Sequence, residues 1–307
     1  MKLGRFELKH GLILPPIAGY SDVGMRMLCI RYGAELTFTE MVSAKGLVYG
    51  NENTRELLIT HETEKIKAVQ LFGREEGFIA RAVQLEPLKK FDIIDINFGC
   101  PVHKIVKSGE GSALMKEPEQ VYKIIKYAVE AAEGRLVTGK IRAGWSKDFR
   151  NAVEVALAIQ EGGGAMVTVH GRTRDMLYSG FADPGIIKEV KDSLKIPVVA
   201  NGDIADRESY LRMLSATGAD GVAIGRGAIG RPYVFSEVLG KTVEYDIGEL
   251  LREHIEELLK YYPERVVVNN IKKHAAFYVK GRKGAKQIKE SVLRAATVKE
   301  VLDSFAV

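Results

Sequence analysis

Cysteine is nearly absent from this chain. Only Cys29 and Cys100 occur in 307 residues, with no CxxC pair and no Cys/His cluster at metal-ligand spacing. That leaves no basis for a disulfide framework or a zinc site, so no metal is expected, and each lone thiol is either inert core or reactive. Long apolar runs are missing too. The N-terminal stretch MKLGRFELKHGLILPPIAG is broken by Pro15 and Pro16 too early for a signal peptide or a membrane span. The expectation is a cytoplasmic protein without a membrane partner. Low-complexity linkers are absent, as is any repeat beyond a βα alternation. Acidic residues are missing from one stretch: Lys272 to Lys289 holds seven Lys or Arg and no Asp or Glu. A net charge of +5 is mild for this length. The acid-free stretch fits either a phosphate-facing surface or a solvated helix face.

The chain does contain eight short apolar or β-branched runs: 12–18, 35–40, 66–72, 92–98, 136–141, 165–170, 196–202 and 221–227. Helical periodicity separates most of them, as in PEQVYKIIKYAVEAA from Pro118 and in NAVEVALAIQEGG. Continuous apolar strands joined by helical crossovers belong to parallel sheets buried on both faces. Eight such units predict an α/β fold, a (β/α)8 barrel over residues 1–240, with a doubly wound open sheet as the rival. Beyond Pro232 the alternation stops. From about Gly248 the pattern is helical throughout, which predicts a small all-helical domain over 241–307. The oligomeric state stays open, a monomer being sufficient.

In such a barrel the site lies at the C-terminal ends of the strands. Those ends carry Pro16 to Gly19, Glu40, Gln70, Asn97 with Cys100, Lys140 with Arg142, His170 with Arg172, Asn201 with Asp203, and Gly225 with Arg226. The glycines of NGDI (201–204) and GRGAIGRP (225–232) expose backbone N–H groups in the two loops where barrels commonly hold phosphate, and Arg226 adds charge. A phosphorylated cofactor such as flavin mononucleotide (FMN) fits. Lys140 then reads as a cation beside the flavin N1 and C2 carbonyl edge, or as a Schiff-base lysine of an aldolase-type barrel. His170 reads as a cofactor contact or as a satisfied strand-end histidine. Cys100, in the turn NFGCP, reads as a proton donor with an ordinary thiol pKa, or as a nucleophile aided by His103. Cys29 is expected to be core. The segment VHKIVKSGEGSALM beside Cys100 reads as a loop that closes over a bound group, or as a plain surface loop.

Seven motifs in order, PPIAGYSD (15–22), QLFG (70–73), DINFGCPVHKIVKSGEGSALM (95–115), GKIRAGW (139–145), VHGRTR (169–174), PVVANGDI (197–204) and GVAIGRGAIGRP (221–232), resemble the tRNA-dihydrouridine synthases. IKKHAAFYVKG (271–281) extends the resemblance into the tail. It implies an FMN barrel in which NADPH or NADH reduces the flavin, hydride passes to C6 of a uridine in tRNA, and Cys100 protonates C5. It also implies flavin contacts from Pro16, Ile17, Ala18, Gln70, Lys140, His170, Asn201, Gly202, Asp203, Gly225 and Arg226. Asn97 and Lys104 would bind the substrate, and Arg172, Arg174 and the basic tail would meet the tRNA backbone. Two departures, Pro184 where many members carry an aromatic residue and PPIAGYSD for the commoner PMAGVTD, leave the subfamily and the modified position open. Three rival functions remain: an FMN barrel acting on a free pyrimidine or enone, as dihydroorotate dehydrogenase does, a non-redox RNA-binding barrel, and a phosphate-binding aldolase.

Overall fold

A computed structural model describes residues 1–305; Ala306 and Val307, the end of the predicted helical domain, lie outside the described residues. A two-stranded antiparallel hairpin comes first, β1 (Lys2–Leu3) and β2 (Phe6–Glu7). Eight parallel strands then close a barrel: β3 (Leu12–Leu14), β4 (Leu36–Ser43), β5 (Lys67–Phe72), β6 (Ile93–Asn97), β7 (Leu136–Arg142), β8 (Val167–His170), β9 (Val198–Asn201) and β10 (Gly221–Ala223), with β10 pairing back onto β3. All eight runs read as strands are strands, and the open-sheet rival is excluded by the closure.

The period-2 alternation of a strand explains why this barrel has an apolar floor and a polar mouth. On β6, Ile94 and Ile96 face the helices, while Ile93, Asp95 and Asn97 succeed one another up the lumen. Ile93 joins Ile13, Leu36, Phe38, Ala68, Met166, Val199 and Ala223 in a closed apolar floor, and Leu3 and Leu8 from the hairpin seal it from below. The hairpin leaves no mark in the sequence pattern, because two-residue strands carry no readable period. A register shift between Phe38 and Met41 breaks the β4–β5 ladder. It lets Glu40 turn to the mouth, where the carboxylate accepts from Gly19 N.

Beyond the barrel, helices Ile247–Leu259, Glu264–Tyr278, Ala285–Arg294 and Val298–Asp303 share a core with the barrel helix Val23–Arg31. Leu28, Leu251, Leu258, Val267 and Ile271 are wholly buried there. Each contributes roughly 1.5–3 kcal/mol, so the helical part is fastened to the barrel and does not swing on a tether. No helix of the described residues is long and apolar enough to cross a membrane.

A polar clamp fixes the same junction. Asp22 caps helix Val23–Arg31 by accepting from Met25 N, and accepts from His254 Nε2 and His274 Nε2, each at 2.9 Å. Burial works against its charge, but the two imidazoles hold Asp22 well below the usual carboxylate range. Burial lowers His274, so it is neutral at pH 7. Both folded pKa values lie below their unfolded ones, so both contributions are full at neutral pH and disappear on acidification. The loss through His274 begins near pH 6.5 and that through Asp22 below about pH 4. The urea midpoint is therefore expected to fall between pH 7.5 and 5.5, and His274→Gln should flatten that fall. Asp22→Ala, which leaves two buried imidazoles unpaired and a helix uncapped, should cost about 2–4 kcal/mol at pH 7.5 in the same titration.

Candidate active site at the barrel mouth

From the floor upward, the lumen turns into one hydrogen-bonded chain. The Asp95 carboxylate accepts from Thr138 Oγ1 at 2.6 Å and from Gln70 Nε2 at 2.6 Å. Gln70 Oε1 accepts from Asn97 Nδ2 at 2.8 Å. Asn97 Oδ1 accepts from the backbone N–H groups of Gly99 (3.1 Å) and Cys100 (2.8 Å). Each amide is thus locked in one orientation by its neighbour, with a buried acid at the base. Burial pushes the Asp95 carboxyl up to about 6, against the pull of Thr138, Gln70 and Lys140. Asp95 is not among the residues expected at the mouth, although an Asp set among the isoleucines of IIDINF (93–98) is the signal that would find it. Gln70 and Asn97, expected to contact flavin and uracil, do most of their bonding inside the protein. Asn97 is a holder of the Cys100 turn, with one amide hydrogen left for a ligand.

Cys100 lies at the top of β6, nine per cent exposed. Burial pushes its thiol up, outweighing Val102 N, Arg142 and Lys140. The thiol is therefore protonated at neutral pH, the state of a proton donor. His103 is exposed and opens the short helix His103–Lys107. Among the described residues it makes no hydrogen bond to the thiol. The segment read as a loop is therefore this helix followed by a 3-10 turn, Gly111–Lys116. Gly111 is needed for that packing: its φ is +59°, and a Cβ there would stand 2.8 Å from Cys100 O. Lys104 is exposed on the helix, at the edge of the mouth. Cys29 is fully buried, as expected.

Across the mouth the charges are positive. Lys140 is half-buried at the top of β7, and burial, then Arg142, bring its ammonium down to about 8. Arg142 is a structural strut: Nε donates to Gly99 O, and Nη1 donates to Thr173 O and Leu177 O. Burial and the cations Lys140, Arg142, Arg172 and Arg226 press His170 far down, so it is a neutral imidazole. Asn201 Nδ2 donates to Ala223 O, stitching β9 to β10. Gly202 sits at φ +130° against His170 and Ala182. Pro16 and Ile17 are half-buried and Ala18 exposed in the loop after β3. Gly225 faces that loop with room to spare, since a Cβ there would meet nothing nearer than Pro15 at 3.6 Å and Ile17 at 3.9 Å.

The two barrel arginines expected at the tRNA backbone, Arg172 and Arg174, differ from each other in exposure. Arg172 is buried, two per cent exposed. Its guanidinium binds Ser179 O, Gly180 O and, at 2.7 Å, the Asp203 carboxylate. Asp203 in turn accepts from Ala182 N, and Arg226 approaches it at 3.5 Å. Arg172 and the Asp203 carboxylate therefore bond mainly to the protein. The arrangement follows from chemistry, because a guanidinium buried this deeply needs a carboxylate and carbonyls around it. Arg174 is half-buried over the Trp145 ring, 4.6 Å from its centroid, with Lys116 at 4.4 Å. In the tail, Lys273, Lys280, Arg282, Lys283 and Lys286 are exposed, and among the described residues none of the seven cations pairs with a carboxylate. Lys273 reaches the loop at Gly19, within 3.5 Å of where a Cβ would stand. Lys273 therefore joins this tail to the loop after β3.

A family model described as "Dihydrouridine synthase" matches residues 13–306. The tRNA-dihydrouridine synthase B of Shewanella oneidensis is 39% identical over 288 residues, 91% of this chain and 89% of that protein. The tRNA-dihydrouridine synthase B of Pasteurella multocida is 38% identical over 291 residues, 92% and 87%. The probable tRNA-dihydrouridine synthase of Rickettsia conorii is 37% identical over 302 residues, 95% and 91%. Among solved structures, an NCR variant from Zymomonas mobilis superposes with a TM-score of 0.58 at 16% identity, covering 81% of this chain and 93% of that one. Likeness at that identity speaks for the barrel alone.

Proposed function

This chain belongs to the dihydrouridine synthase family, and on that premise we propose that it reduces the C5–C6 bond of specific uridines in tRNA with FMN at the barrel mouth and NADPH or NADH as the electron source. The observation that carries the reading is the protonated Cys100 thiol, held by Asn97 at the rim of a mouth lined by Lys140, Arg142 and His170. These residues fit an anionic flavin nucleotide. Positive charge converges without a matching set of free carboxylates, and Gly225 leaves open space beside Pro15 and Ile17.

The flavin would be held by Pro16, Ile17 and Ala18 on one side and by the backbone of Asn201, Gly202, Asp203, Gly225 and Arg226 on the other. Gln70, Lys140 and His170 would face its ring edge. When bound, it supplies the hydride for C6. The protein's part is the remainder: Lys140 stabilises negative charge on the ring edge, neutral His170 offers a hydrogen bond without adding charge, and the thiol of Cys100 gives its proton to C5. Asn97 fixes the turn that aims the thiol, and its free amide hydrogen can meet a uracil carbonyl. Arg174, Lys104 and the tail from Lys272 to Lys289 would meet the tRNA. The unpaired cations of that tail favour tRNA over a free pyrimidine, which needs no such surface. Replacing three of them, Lys280, Arg282 and Lys283, with Ser should weaken tRNA binding several-fold at low salt and reduce the slope of log affinity against log salt by about 2–3.

The purified protein is expected to be yellow, to release FMN on denaturation, and to be bleached by NAD(P)H. Incubated with tRNA from cells lacking the protein, it should form dihydrouridine at a defined position, mapped by mass spectrometry. A colourless protein that takes up no FMN, or tRNA left unmodified, would overturn the reading.

A further inference from the structure

The segment from Leu177 to Ala182, between β8 and the helix Pro184–Ser193, combines two features that seldom coincide. Its tip is apolar and wet: Phe181 is 85% exposed, Tyr178 56% and Leu177 50%. Its backbone is nevertheless pinned, by buried arginines from Leu177 to Gly180 and by a carboxylate at Ala182. Arg142 Nη1 holds Leu177 O at 2.8 Å, and Arg172 holds Ser179 O at 3.0 Å and Gly180 O at 2.7 Å. Asp203 Oδ2 accepts from Ala182 N at 2.7 Å. Phe181 therefore stands between two anchored residues, presented to solvent by the same Arg172–Asp203 pair that shapes the loop after β9. An aromatic ring left in water on a preorganised loop gains the fold no burial; what it retains is a rigid apolar face for a partner.

The surroundings identify the partner's chemistry. The segment follows a strand's C-terminal end, on the side of the barrel that carries Cys100. Tyr178 lies under two guanidinium groups, with Arg226 at 4.8 Å and Arg142 at 5.7 Å from its ring centroid. Cations gathered on Tyr178, three residues from the exposed Phe181 ring, match a nucleobase carried on a phosphate backbone. A uridine that leaves its stack also leaves an uncovered neighbour, whose face must otherwise be wetted. Resting on the tRNA reading above, we propose that Phe181 is a stacking platform for the nucleobase next to the target uridine, holding the flipped-out geometry open. No hydrogen bond to base edges is involved, so the contact accepts any base and leaves the choice of position to other residues.

The test uses full-length, flavin-loaded protein and unmodified tRNA, with Phe181 changed to Ser, Leu, Tyr or Trp. Phe181→Ser should lower kcat/KM for tRNA about 10- to 100-fold. Phe181→Leu should recover little of that, and Phe181→Tyr and Phe181→Trp should stay within about threefold of wild type. Flavin reduction by NAD(P)H without tRNA should be the same in all four, which separates a substrate contact from a damaged fold. The idea is lost if Phe181→Ser matches wild type, or if Leu serves as well as Tyr. It is equally lost if Phe181→Ser changes only the sedimentation coefficient, which would make a second copy of the chain the occupant. Wild-type protein that forms no dihydrouridine would instead overturn the underlying functional reading.

Discussion

Replacing Cys100 with Ala is expected to lower dihydrouridine formation by about 10²–10⁴-fold, the span of a lost general acid, while the protein stays yellow and its flavin is still reduced by NAD(P)H. The bonds that hold the turn run to the backbone N–H groups of Gly99 and Cys100. Alanine keeps them and removes only the thiol, so the loss reports proton transfer and not misfolding. Cys100→Ser keeps a hydroxyl at the site, but one far less acidic than even a raised thiol, and should recover little. Because burial raises the thiol, the active protonated form persists through neutral pH and into mild alkali. The Cys100-dependent rate is thus expected to be flat from pH 6.5 to 8 and to decline only as the raised pKa is crossed. A nucleophilic cysteine would show the reverse, gaining rate with pH as thiolate forms. Stopped-flow oxidation of prereduced enzyme by tRNA, read with mass spectrometry of the product, decides between them. A Cys100–uracil adduct accumulating during turnover would reject the acid role.

The barrel was legible because both of its periods are. Continuous runs such as IKAVQLF and DIIDINF could only be strands buried on both faces, and the helical stretches between them forced parallel crossovers. The hairpin of Lys2–Leu3 and Phe6–Glu7 was not legible, being shorter than any period. In the site, position along the chain was readable but commitment was not. Arg172 and Arg142 look like free cations in VHGRTR and GKIRAG, yet Arg142 is consumed by carbonyls and Arg172 by two carbonyls and the Asp203 carboxylate. A sequence shows that an arginine stands at a strand end, not whether its fork will find carbonyl partners there. For the same reason the sequence does not show that Asn97 spends most of its bonding capacity on Gln70, Gly99 and Cys100, with one amide hydrogen left over. Asp95 escaped notice because a buried acid has no local signature beyond its misfit among isoleucines.

The second large effect concerns Lys140. In the flavin-free protein its ammonium sits at about 8, lowered first by burial and then by Arg142, and partly restored by Asp95. An electron-rich ring edge placed beside it stabilises the charged form and raises that value. FMN binding must then take up a proton above pH 8, and affinity is expected to fall by up to tenfold for each further pH unit. Below pH 7.5 the lysine is already charged in both states and affinity should be level. Lys140→Met removes a charge-assisted contact of about 1.5–3 kcal/mol, so it should weaken FMN binding about 10- to 150-fold at pH 7 and abolish the alkaline fall. Flavin fluorescence during titration of the flavin-free protein measures both without reference to turnover. The same lowered ammonium would also suit an imine-forming lysine, which predicts a different pair of results: no dependence of FMN affinity on Lys140, and a borohydride-trapped carbonyl adduct at that residue. An alkaline slope present in the wild type and absent from Lys140→Met would place the ammonium at the flavin, because no other residue is exchanged between the two proteins.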